Sequence, residues 1–159
     1  MVDTSAGILL YRRMPALEVF LGKMGGPFWA RKDAAAWSIP KGLYTAERPL
    51  AAALREFEEE IGAPAPDADY LRLGEFRQPS GKRITVFAGE GDAEFVASNT
   101  FEVEWPPRSG KLQAFPEIET AGWFDLETAR VKLVKGQLPI LAALEQHLAQ
   151  HLDPHLDSQ

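Results

Sequence analysis

Three glutamates in the middle of the chain, Glu56, Glu59 and Glu60, have a spacing suited to metal chemistry. Residues three and four positions apart lie on the same face of an α-helix, so a helix here would carry all three carboxylates on one side. Like charges at this spacing cost roughly a few tenths of a kcal/mol per pair. A hard divalent cation such as Mg²⁺ or Mn²⁺ prefers oxygen ligands and would remove that repulsion. The alternative is an acidic, solvated helix face, and the helix alone does not decide between the two.

The helix that would position these carboxylates is predicted over residues 48–61. Pro49 suits a first helical turn, where its missing N–H costs nothing, and Gly62 supplies the stop. Glu58 falls on a third side of the helix, where we expect it to be solvated. One apolar stripe is predicted to face the core, formed by Leu50, Ala53, Leu54, Phe57 and Ile61.

The rest of the chain supplies strands before and after this helix and two helices at the C-terminal end. Apolar and aromatic runs predict extended segments at residues 5–12, 17–24, 37–39, 70–78, 83–89 and 122–124, with a further extended run within residues 95–105. Asp125 is predicted to cap a short helix that ends near Val134, and a terminal helix is predicted over residues 138–151. Because strands and helices do not alternate regularly, we expect an α+β fold with a mixed sheet.

Composition limits the classes of function. A chain of 159 residues with 45% apolar residues is expected to form one domain with a proper core. Its net charge of −6, without a long basic run, argues against binding to a nucleic-acid polymer. The absence of cysteine excludes disulfides, thiolate catalysis and zinc ribbons. Since no secretory signal or membrane-length apolar stretch is visible, we expect a cytoplasmic protein that does not bind membranes.

The segment around the three glutamates resembles the sequence box of the Nudix hydrolases over residues 42–63. The family's box has a Gly, five residues, a Glu, seven residues, and then Arg-Glu-apolar-x-Glu-Glu-x-Gly-apolar. Here Arg55 to Ala63 reads Arg-Glu-Phe-Glu-Glu-Glu-Ile-Gly-Ala, and seven residues separate Glu47 from Arg55. Only four residues separate Gly42 from Glu47, one fewer than in the family. The resemblance implies a single Nudix domain over residues 1–159, with a mixed sheet sandwiched between helices.

The resemblance also implies an activity and a set of metal ligands. Nudix hydrolases cleave a nucleoside diphosphate linked to another group, and they use Mg²⁺, with Mn²⁺ as a possible substitute. The implied ligands are the backbone carbonyl of Gly42 and the carboxylates of Glu56, Glu59 and Glu60. Arg55 is implied to orient the glutamates through a bidentate pair. Glu47 is expected to contact Arg55 or the metal from its loop, with the turn near residues 44–45 absorbing the missing residue.

The general base has two candidates, because the family draws it from different places. Glu56 is the candidate inside the box. Glu117, which is predicted to lie in a loop shortly before the strand at residues 122–124, is the candidate outside it. A solvated loop glutamate is an equally valid interpretation of Glu117.

Substrate binding is predicted for the loop that contains Trp29, Arg31 and Lys32 and for Lys41. The loop combines a ring that could stack on a base with cations that could bind phosphates, although its aromatic residues could instead pack on the sheet. Residues 28–33 and 98–107 resemble a bacterial subgroup of predicted nucleoside-triphosphate pyrophosphohydrolases. Residues 37–42 are similar to the corresponding stretch of diadenosine tetraphosphate hydrolases. The alternative to an enzyme is a Nudix-fold module that binds a nucleotide without cleaving it.

Overall fold

The computed structural model describes residues 4–151, so the outermost residues of the predicted domain, 1–3 and 152–159, lie outside the described part. The described chain folds into nine strands, three α-helices and a short 3-10 turn at residues 135–137. The strands are β1 Thr4–Arg12, β2 Glu18–Met24, β3 Trp37–Ser38, β4 Lys41–Leu43, β5 Leu71–Arg77, β6 Arg83–Glu90, β7 Thr100–Glu104, β8 Leu112–Pro116 and β9 Ile118–Asp125. The helices are α1 Pro49–Ile61, α2 Leu126–Lys132 and α3 Leu138–His151.

Seven of the strands form one mixed sheet. Its main path runs β3-β2-β1-β6-β5, while β4 pairs with β1 and β9 pairs with β2. The β1–β6 pair is parallel, from Thr4 opposite Arg83 to Tyr11 opposite Glu90, and the other pairs are antiparallel. The prediction of an α+β fold with a mixed sheet is therefore confirmed.

The sheet has a hydrophobic core on each face, because successive side chains of a strand point to opposite sides. On one face, Ile8 and Leu10 of β1 pack with Phe57 of α1. On the other face, Leu9 belongs to a core that includes Leu144 of α3. All five of these side chains are fully buried. The sheet thus lies between α1 on one side and α2 and α3 on the other, as expected.

Helix α1 begins and ends as its sequence predicts. Pro49 occupies its first turn, and Gly62 ends it in the left-handed conformation with φ of 89°. That φ favours glycine, because other residues lack steric room for it. Asp125 caps α2 by accepting a hydrogen bond from the Thr128 backbone N–H at 2.7 Å, as predicted. Within the described residues, no helix is both long and apolar enough to cross a membrane.

The strand predictions were incomplete in three places. The extended run predicted within residues 95–105 is β7, and it pairs with the unpredicted β8 to form a separate two-stranded hairpin. The strand predicted at residues 122–124 is longer and begins at Ile118. The short strand β4 was not predicted. These strands lack a clear apolar pattern, because β8 is mostly exposed and β4 is only three residues long.

Candidate active site

Helix α1, strand β4 and the junction between β8 and β9 meet at a pocket of about 590 Å³. Strand β4 reaches it because Gly42 pairs with Ala6 of β1, the strand against which α1 packs. The pocket is lined by four carboxylates, those of Glu56, Glu59, Glu60 and Glu117. Side chains far apart in sequence therefore surround one concave, acidic surface.

The three helical glutamates share the predicted face of α1. Glu56 and Glu60 are buried, with 9% and 7% of their surface exposed, whereas Glu59 is exposed at the pocket's edge. Glu58 is exposed and does not line the pocket, while Phe57 is fully buried in the core. The predicted helical phasing is confirmed.

Arg55 connects three of the glutamates. Its Nη2 and Nε donate to Glu47 at 2.6 and 2.9 Å, and its Nη1 donates to Glu56 at 2.9 Å and to Glu59 at 3.1 Å. The hydrogen bonds from Arg55 hold the pKa of Glu47 below its ordinary value. The reciprocal bond with Glu47 is the main reason why the pKa of Arg55 lies above its usual range. The four-residue loop after Gly42 thus still brings Glu47 to Arg55.

Gly42 allows the closest approach in the pocket. A Cβ atom at this position would lie 2.0 Å from the carboxyl carbon and from Oε2 of Glu56. Real Cβ atoms essentially never come within 3.0 Å of another heavy atom. Only glycine therefore lets the backbone of β4 lie directly beside the Glu56 carboxylate.

Burial dominates the electrostatics of Glu60. Loss of water around its carboxylate raises the pKa of Glu60 to about 8, although the positive charge and backbone N–H of Lys41 oppose the shift. That N–H donates to Glu60 Oε1 at 3.3 Å. The negative charges of Glu117 and Glu56 raise the pKa further. A positive charge placed in the pocket would favour the ionised form of this carboxylate.

Glu117 is the single residue between β8 and β9, not part of a longer loop. Its backbone is held on both sides, since its N–H donates to the Asn99 carbonyl at 2.9 Å and its carbonyl accepts from Gly25 N–H at 2.8 Å. Its side chain is half-buried, and this burial, together with the charge of Glu56, raises the pKa of Glu117. The fold therefore brings this carboxylate opposite the glutamates of α1.

Comparison with known proteins decides the family. The model of the NUDIX domain matches residues 1–144, which is most of the chain. The protein belongs to the Nudix family. No curated protein matches the chain in sequence. As a Nudix hydrolase it acts on phosphoanhydride bonds, and members of this family generally use divalent metal ions.

Solved structures share the Nudix fold at low sequence identity. A C. elegans Ap4A hydrolase in a binary complex is 20% identical, with a TM-score of 0.64, over 92% of this chain and 98% of that chain. The Nudix domain of Shewanella oneidensis NrtR, complexed with ADP ribose, is 13% identical, with a TM-score of 0.62, over 93% and 89%. The E. coli ORF135 protein is 21% identical, with a TM-score of 0.58, over 97% and 94%.

The chemistry of the Nudix pocket fits a divalent cation, although its side chains are not arranged around one. Within residues 4–151, no three acidic or histidine side chains are gathered closely enough to hold a metal ion. Arg55 contacts the carboxylates of Glu56 and Glu59 instead. The donors are nevertheless hard oxygens, and two of the carboxylates are buried. Among the described residues, the lysines that line the pocket with them are Lys41 and Lys82. Such a donor set suits Mg²⁺ or Mn²⁺.

The predicted substrate-binding residues fall into two groups. Trp29 and Lys41 line the Nudix pocket. Trp29 also packs partly against the core on the α3 face, as the alternative interpretation of this loop expects, and stacking of its ring on a base stays a prediction. Arg31 and Lys32 are exposed and do not line the pocket, and the Lys32 ammonium lies 5.4 Å from the centre of the Trp29 ring. Contact of these two cations with a substrate stays a prediction.

Six further polar or aromatic residues of the pocket were missed, namely Ser5, Ser38, Gln78, Lys82, Asn99 and Phe101. Gln78 and Lys82 flank the turn between β5 and β6, where the sequence shows only surface charge typical of a turn. Asn99 and Phe101 lie within residues 98–107, the stretch that resembles a Nudix subgroup. That resemblance is the one signal that could have drawn attention to them.

Proposed function

We propose that the protein is a Mg²⁺-dependent pyrophosphohydrolase that cleaves a nucleoside triphosphate or a dinucleoside polyphosphate, with Mn²⁺ able to replace Mg²⁺. The observation that carries this proposal is the convergence of Glu56, Glu59, Glu60 and Glu117 on the pocket beside Gly42. A binding module would not require so many carboxylates, because they repel the phosphates of a ligand. Four carboxylates are instead suited to holding cations and accepting a proton.

The residues that would hold Mg²⁺ are the three glutamates of α1 and the backbone carbonyl of Gly42. When bound, the cation neutralises phosphate charge and lowers the pKa of a coordinated water. Arg55 keeps Glu56 and Glu59 on the pocket side of the helix through its hydrogen bonds at 2.9 and 3.1 Å. Glu47 in turn fixes the guanidinium through its contacts at 2.6 and 2.9 Å.

Hydrolysis adds one water molecule across a phosphoanhydride bond. The water oxygen bonds to phosphorus, the bond from that phosphorus to the bridging oxygen breaks, and the water's proton passes to a carboxylate. Glu117 and Glu56 are the candidates for this base. The geometry favours Glu117, because the Glu56 carboxylate is already engaged by Arg55 and pressed against Gly42. Glu117 lines the same pocket from the junction between β8 and β9, and it is not among the partners of Arg55.

The other residues of the pocket support the proposed substrate class. Trp29 and Phe101 offer rings for a nucleobase, and Lys41 and Lys82 offer positive charge for phosphates. Two proteins of similar fold are described as an Ap4A hydrolase and as a domain complexed with ADP ribose. Ap4A and ADP ribose both contain a nucleoside diphosphate. These features support a nucleotide in which a phosphate chain extends beyond the first phosphate.

A phosphate-release screen tests the proposal directly. The purified protein is incubated with nucleoside triphosphates and dinucleoside polyphosphates, and the products are separated by chromatography. We expect turnover with Mg²⁺ or Mn²⁺, none in excess EDTA, and recovery when Mg²⁺ is added back. Full turnover in excess chelator would refute the metal mechanism. Tight binding of a nucleotide without any product would favour the binding module instead.

A further inference from the structure

A short segment, residues 96–99, directly precedes the β7–β8 hairpin and is hydrogen-bonded to the end of α1; we call it the strap. The N–H groups of Val96 and Ala97 donate to the Ile61 carbonyl at 2.8 and 3.1 Å. The N–H of Asn99 donates to the Glu59 carbonyl at 2.9 Å. The strap also lies close to Gly62, where a Cβ would be 2.3 Å from the Ala97 oxygen. It is therefore fixed to the helical turn that carries Glu59.

The same strap holds the backbone around Glu117. The N–H of Glu117 donates to the Asn99 carbonyl at 2.9 Å, and the next N–H, that of Ile118, donates to Ser98 Oγ at 2.9 Å. The Ser98 hydroxyl donates its own proton to the Asn99 carbonyl at 2.5 Å. Two consecutive amides at the β8–β9 junction are thus anchored to two consecutive residues of the strap.

We propose that Ser98 is a positioning residue that fixes Glu117 relative to the glutamates of α1. This inference rests on the proposed function, in which Glu117 accepts the proton from water. Ser98 itself does not line the pocket, so it acts through the backbone of Glu117 and not on the substrate. Backbone hydrogen bonds connect Glu59 through Asn99 to Glu117. The Ser98 hydroxyl adds a side-chain link beside them, because it bonds both the Asn99 carbonyl and the N–H of Ile118, the residue after Glu117.

Removal of the Ser98 hydroxyl would leave the Ile118 N–H without a hydrogen-bond acceptor in a place that water reaches poorly. Ile118 is buried, with 2% of its surface exposed. A buried N–H that loses its acceptor disfavours the conformation in which it is stranded. The junction would therefore shift to find another partner, and Glu117 would move with it. Small displacements of a catalytic group have large effects on rate.

The kinetic test compares three variants at saturating Mg²⁺. We expect Ser98→Ala to lower kcat by about tenfold with KM little changed, because only the placement of the base is affected. Ser98→Thr keeps a hydroxyl and should restore most of the rate. Ser109→Ala is the matched control, since Ser109 Oγ accepts from a backbone N–H at 3.2 Å in the far turn of the same hairpin. It should retain wild-type kcat.

A double-mutant cycle separates positioning from a general structural effect. In a Glu117→Gln background, Ser98→Ala should change kcat by less than about twofold, because the group that it positions is already gone. A tenfold loss that persists in this background would overturn the proposal. So would a Ser98→Ala enzyme as active as the Ser109→Ala control, or a Glu117→Gln enzyme with unchanged kcat.

An activity-independent measurement keeps this inference distinct from the proposed function. Amide hydrogen exchange followed by NMR should be at least about tenfold faster at Ile118 in Ser98→Ala than in the wild type or in Ser109→Ala. Unchanged exchange at Ile118 would overturn the anchoring role even in an active enzyme. Absence of hydrolysis in the wild-type protein, with exchange changed as expected, would refute the proposed function while confirming the anchor.

Discussion

Substitution of Gly42 by alanine should remove activity while leaving the fold intact. The added Cβ would lie 2.0 Å from the carboxyl carbon of Glu56, whereas ordinary contacts begin at 3.4 Å. The clash involves the end of a flexible side chain, so the carboxylate can swing aside without disturbing the strand. Relief of the clash requires a displacement of about 1.4 Å, the difference between those two distances.

That displacement gives the expected size of the effect. A misplacement of about 1 Å in a catalytic site can cost about 100-fold in rate. A loss of about 100-fold corresponds to about 2.7 kcal/mol of transition-state stabilisation. Because Glu56 is a proposed metal ligand, we expect Gly42→Ala to lower kcat by at least this factor and to weaken activation by Mg²⁺. The midpoint of thermal unfolding should change by less than about 5 °C.

The assay combines steady-state kinetics over a Mg²⁺ titration with thermal unfolding. Gly122→Ala is the matched control, because among the described residues a Cβ there would meet Phe124 alone, at an ordinary distance of 3.8 Å. This control should retain activity and stability. If Gly42→Ala kept kcat within about threefold of wild type, the Glu56 carboxylate would not need its place beside β4. The proposed ligand role of Glu56 would then be wrong.

Further predictions concern individual carboxylates. Glu59→Gln and Glu60→Gln should fold normally but lower kcat by orders of magnitude. Glu58 is exposed, so Glu58→Gln should fold normally and keep its rate. An equal loss of kcat in Glu58→Gln and Glu59→Gln would contradict the helical phasing. Glu47→Gln should lower kcat by roughly tenfold because it loosens Arg55 without removing a metal ligand, and an unchanged rate would exclude Glu47 from the site. Asp125→Ala should lower the unfolding temperature at neutral pH because it removes the cap of α2. Hydrogen bonds from Thr128 hold the pKa of Asp125 in the folded protein below its ordinary value of 3.8. The ionised Asp125 therefore stabilises the fold fully at pH values well above 3.8. The difference in unfolding temperature should therefore shrink in acid as the carboxylate becomes protonated, and a constant difference would contradict this origin.

The sequence alone predicted helix α1 and the placement of three carboxylates on one of its faces. Pro49 and Gly62 mark its ends, and the spacing of Glu56, Glu59 and Glu60 places them on one side. These features depend on interactions within a few residues, which the helical repeat determines. The cap of α2 and the terminal helix were predicted for the same reason.

The sequence did not predict how the walls of the pocket come together. Glu117 was expected in a loop, but it sits between two strands because β8 pairs with β7 and β9 pairs with β2. Lys82 and Asn99 reach the same pocket from other parts of the chain. Their own neighbours in sequence contain no periodic pattern that points to this location.

The physical reason is the difference between local and long-range contacts. Helical phasing is set by a repeat of 3.6 residues, so the types and spacing of nearby residues are enough to predict it. Strand pairing joins distant segments, and here the parallel pair of β1 with β6 brings residues about eighty positions apart into register. The position of Glu117 opposite α1, and the fit of Gly42 against Glu56, exist only once those pairs have formed. The sequence therefore determined which carboxylates share a helix face, and the tertiary structure decided what stands opposite them.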